Sequence, residues 1–114
     1  MNISLIIPTY NEDENIIELI KGIDNNLSNK KINYTIFIVD DSPNDKIKDI
    51  LKKFNKTVNY IYRGKKLGRG SAVLEGIKMA LKTQYTDIII EMDADLSHDP
   101  SELKSKIEIF HNND

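Results

Sequence analysis

The sequence contains no cysteine and no tryptophan. The absence of cysteine excludes disulfide bonds, thiolate nucleophiles and cysteine-ligated metal clusters. Only 3 prolines and 5 glycines occur among 114 residues, too few for a collagen-like or low-complexity chain. No apolar run approaches the roughly 20 residues that a transmembrane helix requires. What remains is a chain that is 39% hydrophobic and 30% charged, a composition typical of a globular domain.

The charges do not favour either sign strongly. There are 16 basic and 18 acidic residues, a formal net charge of −2, and they are mixed along the sequence. This distribution lacks the basic patch of a nucleic-acid-binding protein. The amino terminus lacks the basic start and small-residue cleavage site of a signal peptide. We therefore expect a cytoplasmic protein and leave peripheral contact with the cytoplasmic membrane face open.

Four β-prone segments alternate with segments whose apolar residues recur at helical spacing. The predicted strands are Ile3–Ile7, Tyr34–Val39, Val58–Tyr62 and Ile88–Ile90. This βαβαβαβα order predicts an α/β, Rossmann-like domain with a parallel sheet and helices on both faces. The expected strand order is 3-2-1-4. Three consecutive β-branched residues in the last strand predict that Ile88, Ile89 and Ile90 are fully buried.

Each predicted helix has an apolar face. Asn11 is the expected N-cap of the first helix, because an asparagine side chain can accept hydrogen bonds from the first turn. The last helix is predicted to begin near Pro100. The residues expected on the apolar faces are Ile16, Leu19, Ile20, Ile23 and Leu27, then Ile47, Ile50, Leu51 and Phe54, then Val73, Leu74, Ile77, Ala80 and Leu81, and finally Leu103, Ile107 and Phe110.

Acidic or aromatic clusters follow three of the predicted strands: Pro8, Tyr10 and Glu12 after the first, Asp40 and Asp41 after the second, and Asp93 and Asp95 after the fourth. Ligands of parallel sheets bind at the carboxyl ends of the strands. Two neighbouring carboxylates repel each other, and a divalent cation such as Mg²⁺ or Mn²⁺ removes that repulsion. Such a cation would attract a diphosphate. A bare Asp-x-Asp is short and common, however, and also fits a solvated acidic turn.

Four motifs decide between these interpretations. They are SLIIPTYNE (Ser4–Glu12), VDDSP (Val39–Pro43), GRGSA (Gly68–Ala72) and MDADLSHDP (Met92–Pro100). In this order and spacing they resemble family 2 glycosyltransferases of the GT-A fold, and within them the dolichol- and polyprenol-phosphate mannosyltransferase type. The resemblance covers essentially the whole chain. It implies a hexosyltransferase that takes sugar from GDP-mannose or a UDP-sugar, with Mg²⁺ or Mn²⁺, and transfers it with inversion to a polyprenyl or dolichyl phosphate.

The resemblance also implies individual roles. The nucleotide-sugar would be bound by Pro8, Tyr10, Glu12, Val39, Asp41, Asp93, Ala94 and Asp95. Tyr10 would offer its ring to the base or ribose, and Val39 and Asp41 would meet the base. Asp93 and Asp95 would be the catalytic carboxylates, which support the leaving group. Asp95 would bind the metal, with Ser97 as a further ligand on that side.

Several residues have plainer interpretations. Asp40 is predicted to hydrogen-bond within its own turn or to cap the next helix. His98 is predicted to be solvated or structural. Tyr10 can equally be a half-buried packing residue. Lys65, Lys66 and Arg69 belong to a basic, glycine-rich loop that is either solvated or neutralises a phosphate with the help of backbone amides.

Enzymes of this type continue past the motif that corresponds to Met92–Pro100 with an acceptor-binding half. We therefore interpret residues 1–114 as one nucleotide-sugar-binding domain, truncated relative to the family. Its last strand is then an exposed edge, which predicts self-association or a second chain. A non-catalytic nucleotide-sugar-binding module stays open as an alternative. So does a receiver-like domain in which Asp93 accepts a phosphoryl group.

Overall fold

Strands and helices alternate along the part of the chain that the computed structural model describes, residues 1–27, 32–54 and 58–95. The elements are β1 (Asn2–Thr9), α1 (Ile16–Leu27), β2 (Asn33–Asp40), α2 (Lys46–Leu51) with a 3₁₀ turn at Lys52–Phe54, β3 (Val58–Tyr62), α3 (Arg69–Thr83) and β4 (Ile88–Glu91). The helix predicted after Pro100 lies outside the described residues, as do Ser97 and His98. Of the helices in these ranges, none has the length and hydrophobicity that a bilayer span requires.

The four strands form one parallel sheet in the order β3-β2-β1-β4, which confirms the predicted topology. In register, Thr9 lies opposite Asp40 and Ile6 lies opposite Glu91. The carboxyl ends of β1, β2 and β4 therefore meet at one edge of the sheet. The chain crosses from β1 to β2 and from β3 to β4 through helices, as parallel pairing requires.

The helices cover both faces of the sheet. On one face, alternate residues of β1 (Ile3, Leu5 and Ile7) pack in a core with α1 and α2. On the other face, Ile6 and Phe37 pack against Ala80 of α3. The predicted apolar face of α1 is fully buried. This arrangement follows from the period of two along a strand, because successive side chains point to opposite faces.

Two burial predictions are wrong. Ile88, Ile89 and Ile90 are only half-buried, because among the described strands β4 pairs with β1 alone and stands at the edge of the sheet. Leu74 and Leu81 are 53% and 61% exposed. The third helix instead meets the sheet through small residues. A Cβ on Gly76 would stand 2.5 Å from Cγ2 of Ile6, so only glycine permits this close approach.

The predicted helix cap is also wrong. The first helix begins at Ile16 rather than just after Asn11, and Asn11 has a φ of 55°. Asparagine tolerates this left-handed backbone conformation better than most residues. The Asn11 N–H donates a hydrogen bond to Oγ of Ser42 at 2.8 Å. Asn11 therefore ties the loop after β1 to the loop after β2.

Candidate functional site

A cavity of about 200 Å³ opens at the carboxyl edge of the sheet. It lies where the loops after β1, β2 and β4 meet the start of α3. The lining residues are Pro8, Thr9, Tyr10, Glu12, Asp41, Lys66, Gly68, Arg69, Ala72, Asp93, Ala94 and Asp95. Every residue expected to bind the nucleotide-sugar is among them except Val39. Residues far apart in sequence are thus brought to one concave surface.

Val39 lies beneath this cavity. Its side chain is fully buried in β2, and its Cγ2 is 3.3 Å from the position that a Cβ on Gly76 would take. The valine side chain therefore packs toward α3 and does not line the cavity wall. Its contact with a base stays a prediction, as does the metal contact of Ser97, which falls outside the described residues.

Asp40 is the centre of a closed hydrogen-bond cluster. Its Oδ1 accepts from Oγ1 of Thr9 at 3.0 Å and from the backbone N–H and the hydroxyl of Ser42 at 3.0 and 2.5 Å. Its Oδ2 accepts from the hydroxyl of Tyr60 at 2.6 Å. Burial and this bond to Asp40 raise the pKa of Tyr60 well above its ordinary value. The prediction that Asp40 organises its own turn is confirmed.

Asp41 is held by Arg63, the first residue after β3. The guanidinium donates to both carboxylate oxygens, with distances of 2.6 Å from Nε and 2.8 Å from the terminal nitrogen. The Leu67 N–H adds a third bond at 3.0 Å. Burial opposes ionisation, but the bonds from Arg63 and Leu67 outweigh it, so the pKa of Asp41 is lower than normal. Asp41 thereby anchors the basic loop beside the cavity.

The basic loop turns at two glycines with positive φ, Gly64 at 72° and Gly68 at 103°. Residues with a Cβ rarely adopt these conformations, so the glycines set the path of the loop. The loop places Nζ of Lys66 4.8 Å from the ring centroid of Tyr10. That distance is within the range of a cation–π contact. The ring face that is predicted to meet the donor thus contacts Lys66 in this structure.

A second arginine contacts the acidic end of β4. Arg69 donates through Nε (2.9 Å) and a terminal nitrogen (2.5 Å) to Oδ1 of Asp93. The same terminal nitrogen forms an ion pair with Glu91. The bond to Asp93 is the main cause of a raised pKa of Arg69. The charge of Asp93 is therefore balanced by an arginine within the chain.

Asp93 and Asp95 also fit a divalent cation. Their carboxylates are hard oxygen donors of the kind that Mg²⁺ and Mn²⁺ prefer, and both line the cavity. The described part of the chain holds no group of three or more His, Cys, Asp or Glu side chains arranged around a metal position. A cation here would need further ligands from elsewhere, for example from a bound diphosphate.

Four residues that contribute to the site were not assigned a role from the sequence. Thr9 and Ala72 line the cavity, Gly68 shapes it, and Arg63 fixes Asp41. Thr9 and Ala72 have no distinctive chemistry, and only their places within the first and third motifs pointed to them. The pairing of Arg63 with Asp41 could not be predicted, because the two residues are 22 positions apart and their contact depends on how β2 and β3 align.

The comparison with known families decides the identity of the domain. The model of Glycosyl transferase family 2 matches residues 4–114. The chain belongs to glycosyl transferase family 2. This membership confirms the resemblance found in the four motifs and removes the receiver domain as an alternative.

Individual members of the family agree with this assignment. The chain is 41% identical to a dolichol-phosphate mannosyltransferase of Pyrococcus furiosus over 98% of its own length and 31% of the relative. It is 30% identical to an undecaprenyl-phosphate 4-deoxy-4-formamido-L-arabinose transferase of Pectobacterium atrosepticum, over 94% of this chain and 33% of the relative. The chain thus spans about a third of the length of these relatives.

A solved structure supports the fold. The crystal structure of S. aureus TarS 1-349 in complex with UDP superposes with a TM-score of 0.77, over 98% of this chain and 32% of TarS. The sequence identity is 23%, so this likeness concerns the fold. Together with the strand order, it confirms the predicted GT-A architecture.

Proposed function

We propose that residues 1–114 form the donor-binding domain of a glycosyltransferase. The domain binds a nucleoside-diphosphate sugar, GDP-mannose or a UDP-sugar, in the carboxyl-edge cavity together with Mg²⁺ or Mn²⁺. One observation carries the proposal. Residues from the loops after β1, β2 and β4 that the sequence predicts to bind the donor line a single cavity, and Asp93 and Asp95 are among them.

The side chains have distinct tasks in this proposal. Tyr10, which is 41% exposed, offers its ring to the base or ribose. Asp41 is held in place by Arg63 and forms the wall near the base. Asp93 and Asp95 hold the divalent cation, and the metal contact of Ser97 that the resemblance implies stays a prediction. When bound, the cation neutralises the charge that grows on the leaving nucleoside diphosphate.

The acceptor is proposed from the names of the relatives, both of which refer to a lipid phosphate. An oxygen of a polyprenyl phosphate attacks the anomeric carbon, and the bond to the nucleoside diphosphate breaks with inversion. The leaving group keeps the bonding electron pair. Because the attacking phosphate is already ionised, the step needs no general base. Such an acceptor implies contact with a membrane surface.

Donor binding and transfer are separable in this proposal. Orientation of the acceptor is worth roughly 7–11 kcal/mol of the barrier in well-oriented reactions. We assign acceptor binding to regions that the relatives have beyond the matched third of their length. The 114-residue chain alone is therefore expected to bind donor and to transfer sugar very slowly. Brisk transfer to polyprenyl phosphate by the purified chain would refute this division, and complete absence of turnover would favour a binding module.

Calorimetric titration of the 114-residue chain tests donor binding. We expect GDP-mannose or a UDP-sugar to bind in the presence of Mn²⁺ and to bind much more weakly after chelation with EDTA. Guanosine and uridine serve as controls, because they present the base and ribose without a diphosphate, and they should show no Mn²⁺ dependence. Failure of every nucleotide-sugar to bind, with Mn²⁺ present, would contradict the proposal.

A further inference from the structure

Arg69 lines the carboxyl-edge cavity and also contacts Asp93 after β4, and its position suggests two alternative partners. We propose that Arg69 pairs with Asp93 when no donor is bound. When a divalent cation binds to Asp93 and Asp95, the Arg69 side chain moves and its guanidinium forms hydrogen bonds to the donor diphosphate instead. This inference rests on the proposed function and deepens it. It makes Arg69 both a competitor of the cation and a donor-binding residue.

The balance of charge in the cavity supports the first half of this exchange. Glu91, Asp93 and Asp95 fall within five residues of one another, and Arg69 forms ion pairs with the first two. The cation takes the same kind of oxygen that the guanidinium now uses, because both Arg69 contacts to Asp93 converge on Oδ1. A divalent cation on that carboxylate repels the guanidinium and removes its acceptor.

The second half of the exchange, in which Arg69 binds the donor diphosphate, is supported by the position and exposure of its side chain. Arg69 is the first residue of α3 and lines the cavity. Its side chain is 52% exposed, so packing does not hold it against β4. The planar fork of an arginine matches phosphate oxygens, and charge-assisted bonds of this type are among the strongest in proteins. A diphosphate bound in the cavity would thus offer Arg69 a new acceptor.

Comparison with Arg63 shows why the exchange is assigned to Arg69. The Arg63 side chain is only 11% exposed. It donates to Asp41 and also to Ser71 and the carbonyl of Gly68. Releasing it would expose the buried carboxylate of Asp41. Arg63 is therefore a fixed part of the loop, whereas the side-chain bonds of Arg69 within the described residues go to Glu91 and Asp93.

Two measurements on four proteins test the inference. The proteins are the parent chain, Arg69→Gln, Arg69→Lys and the control Lys82→Gln, which removes the same charge from the other end of α3. Electron paramagnetic resonance of free Mn²⁺ gives the cation affinity without nucleotide, and calorimetry at saturating Mn²⁺ gives the affinity for GDP and UDP. We expect Arg69→Gln to bind Mn²⁺ more tightly and to bind the nucleoside diphosphate about tenfold more weakly, the loss of one charge-assisted contact.

The outcomes separate the possibilities. The control should match the parent in both measurements, and Arg69→Lys, which keeps the charge but loses the fork, should bind nucleotide with intermediate affinity. Nucleotide binding by Arg69→Gln that equals the parent would overturn the inference and leave a structural salt bridge. Unchanged Mn²⁺ affinity would overturn it as well. A parent chain that binds neither GDP nor UDP would instead refute the proposed function, and this inference with it.

Discussion

The two ends of the sheet each have a cavity, and the cavities differ in chemistry more than in size. The carboxyl-edge cavity has a volume of about 200 Å³ and is lined by acidic and basic side chains. The cavity at the amino edge has a volume of about 150 Å³, and its lining residues are uncharged. They are Asn2, Asn33, Thr35, Gln84 and Tyr85. Volume alone therefore does not identify the functional site.

Four uncharged side chains at the amino edge form a neutral hydrogen-bond network. Gln84 accepts from Oγ1 of Thr35 at 2.9 Å and donates to Oγ of Ser4 at 2.8 Å. Ser4 also shares a hydrogen bond with Thr86 at 2.8 Å. Here polar groups are matched to one another across β1, β2 and the end of α3. At the carboxyl edge, by contrast, ion pairs face a cavity in which a charged ligand can compete for them.

The largest effect is expected within the carboxyl edge itself, where Asp40 serves the fold. Asp40→Ala leaves the donors of Thr9, Ser42 and Tyr60 without their acceptor and should lower the free energy of unfolding by about 3 kcal/mol. Urea denaturation measures this change. Asp45→Ala is the matched control, because Asp45 is exposed and makes no side-chain cap hydrogen bond. Equal stability of the two variants would mean that the Asp40 cluster does not hold the loops.

The next effect compares the two ends of β4 with the same chemical change. Asp95→Asn should weaken nucleoside-diphosphate binding by about 2 kcal/mol, roughly thirtyfold in Kd, and should abolish its dependence on Mn²⁺. Asp87→Asn, on the amino side of β4, should leave binding unchanged, because Asp87 accepts from the Asn2 N–H at the opposite end of the sheet from the carboxyl-edge cavity. Calorimetry of both variants checks this. Similar losses in the two variants would erase the functional difference between the edges.

A third, smaller effect isolates the neutral network. Gln84→Ala removes the bonds to Ser4 and Thr35 and should lower the free energy of unfolding by about 1 kcal/mol. Nucleotide affinity should not change, because Gln84 lies at the opposite end of the sheet. Thermal unfolding and calorimetry give the two numbers, with the exposed Lys82→Ala as control. A loss of nucleotide affinity in Gln84→Ala alone would show that the amino edge influences the donor site.

The smallest effect concerns acid and salt. The pKa values of Asp41 and Asp87 are both lower than normal in the folded chain. A lowered folded pKa stabilises the fold above the unfolded value near pH 4, and this stability is lost as the pH falls through the folded value. Asp41→Asn and Asp87→Asn should each reduce how steeply the free energy of unfolding falls as the pH drops below about 4.

Salt should separate these two carboxylates. The pair of Asp41 with Arg63 is buried, so the effect of Asp41→Asn should persist at 1 M salt, where charges on the surface are screened over about 3 Å. The smaller effect of Asp87→Asn should fade, because that carboxylate is exposed. Acid denaturation at low and high salt measures both. Equal sensitivity to salt would indicate that Asp41 is more solvated than the structure shows.

The architecture and the role of Asp40 could be predicted because they depend on local pattern. Alternating strands and helices imply parallel pairing, and an acidic residue in a turn commonly bonds to its own backbone. The full burial predicted for Ile88–Ile90 is wrong, because three β-branched residues indicate a strand but not whether it is covered on both sides. The predicted strand order had already placed this strand at the edge of the sheet, as the structure shows.

The hydrogen-bond partners of the two arginines could not be predicted from the sequence, for a related physical reason. Arg63 and Arg69 stand at the two ends of one basic segment of the sequence, and nothing in their neighbours distinguishes them. Their different partners arise from the sheet, which brings β2 beside β3 and the end of β4 beside the start of α3. The conformation of Asn11 is another such case, because its left-handed backbone depends on the hydroxyl of Ser42 from the neighbouring loop.

Chemical-shift mapping by NMR tests the central claim most directly. The ¹⁵N-labelled chain is titrated with GDP or UDP in the presence of Mg²⁺, and trace Mn²⁺ then replaces Mg²⁺ to broaden nearby signals. We predict shifts in residues 8–12, 66–72 and 93–95, with broadening centred on Asp93 and Asp95, and no change in residues 33–35 and 84–86. Shifts centred on the amino-edge residues, or Mn²⁺ broadening away from Asp93 and Asp95, would contradict the account.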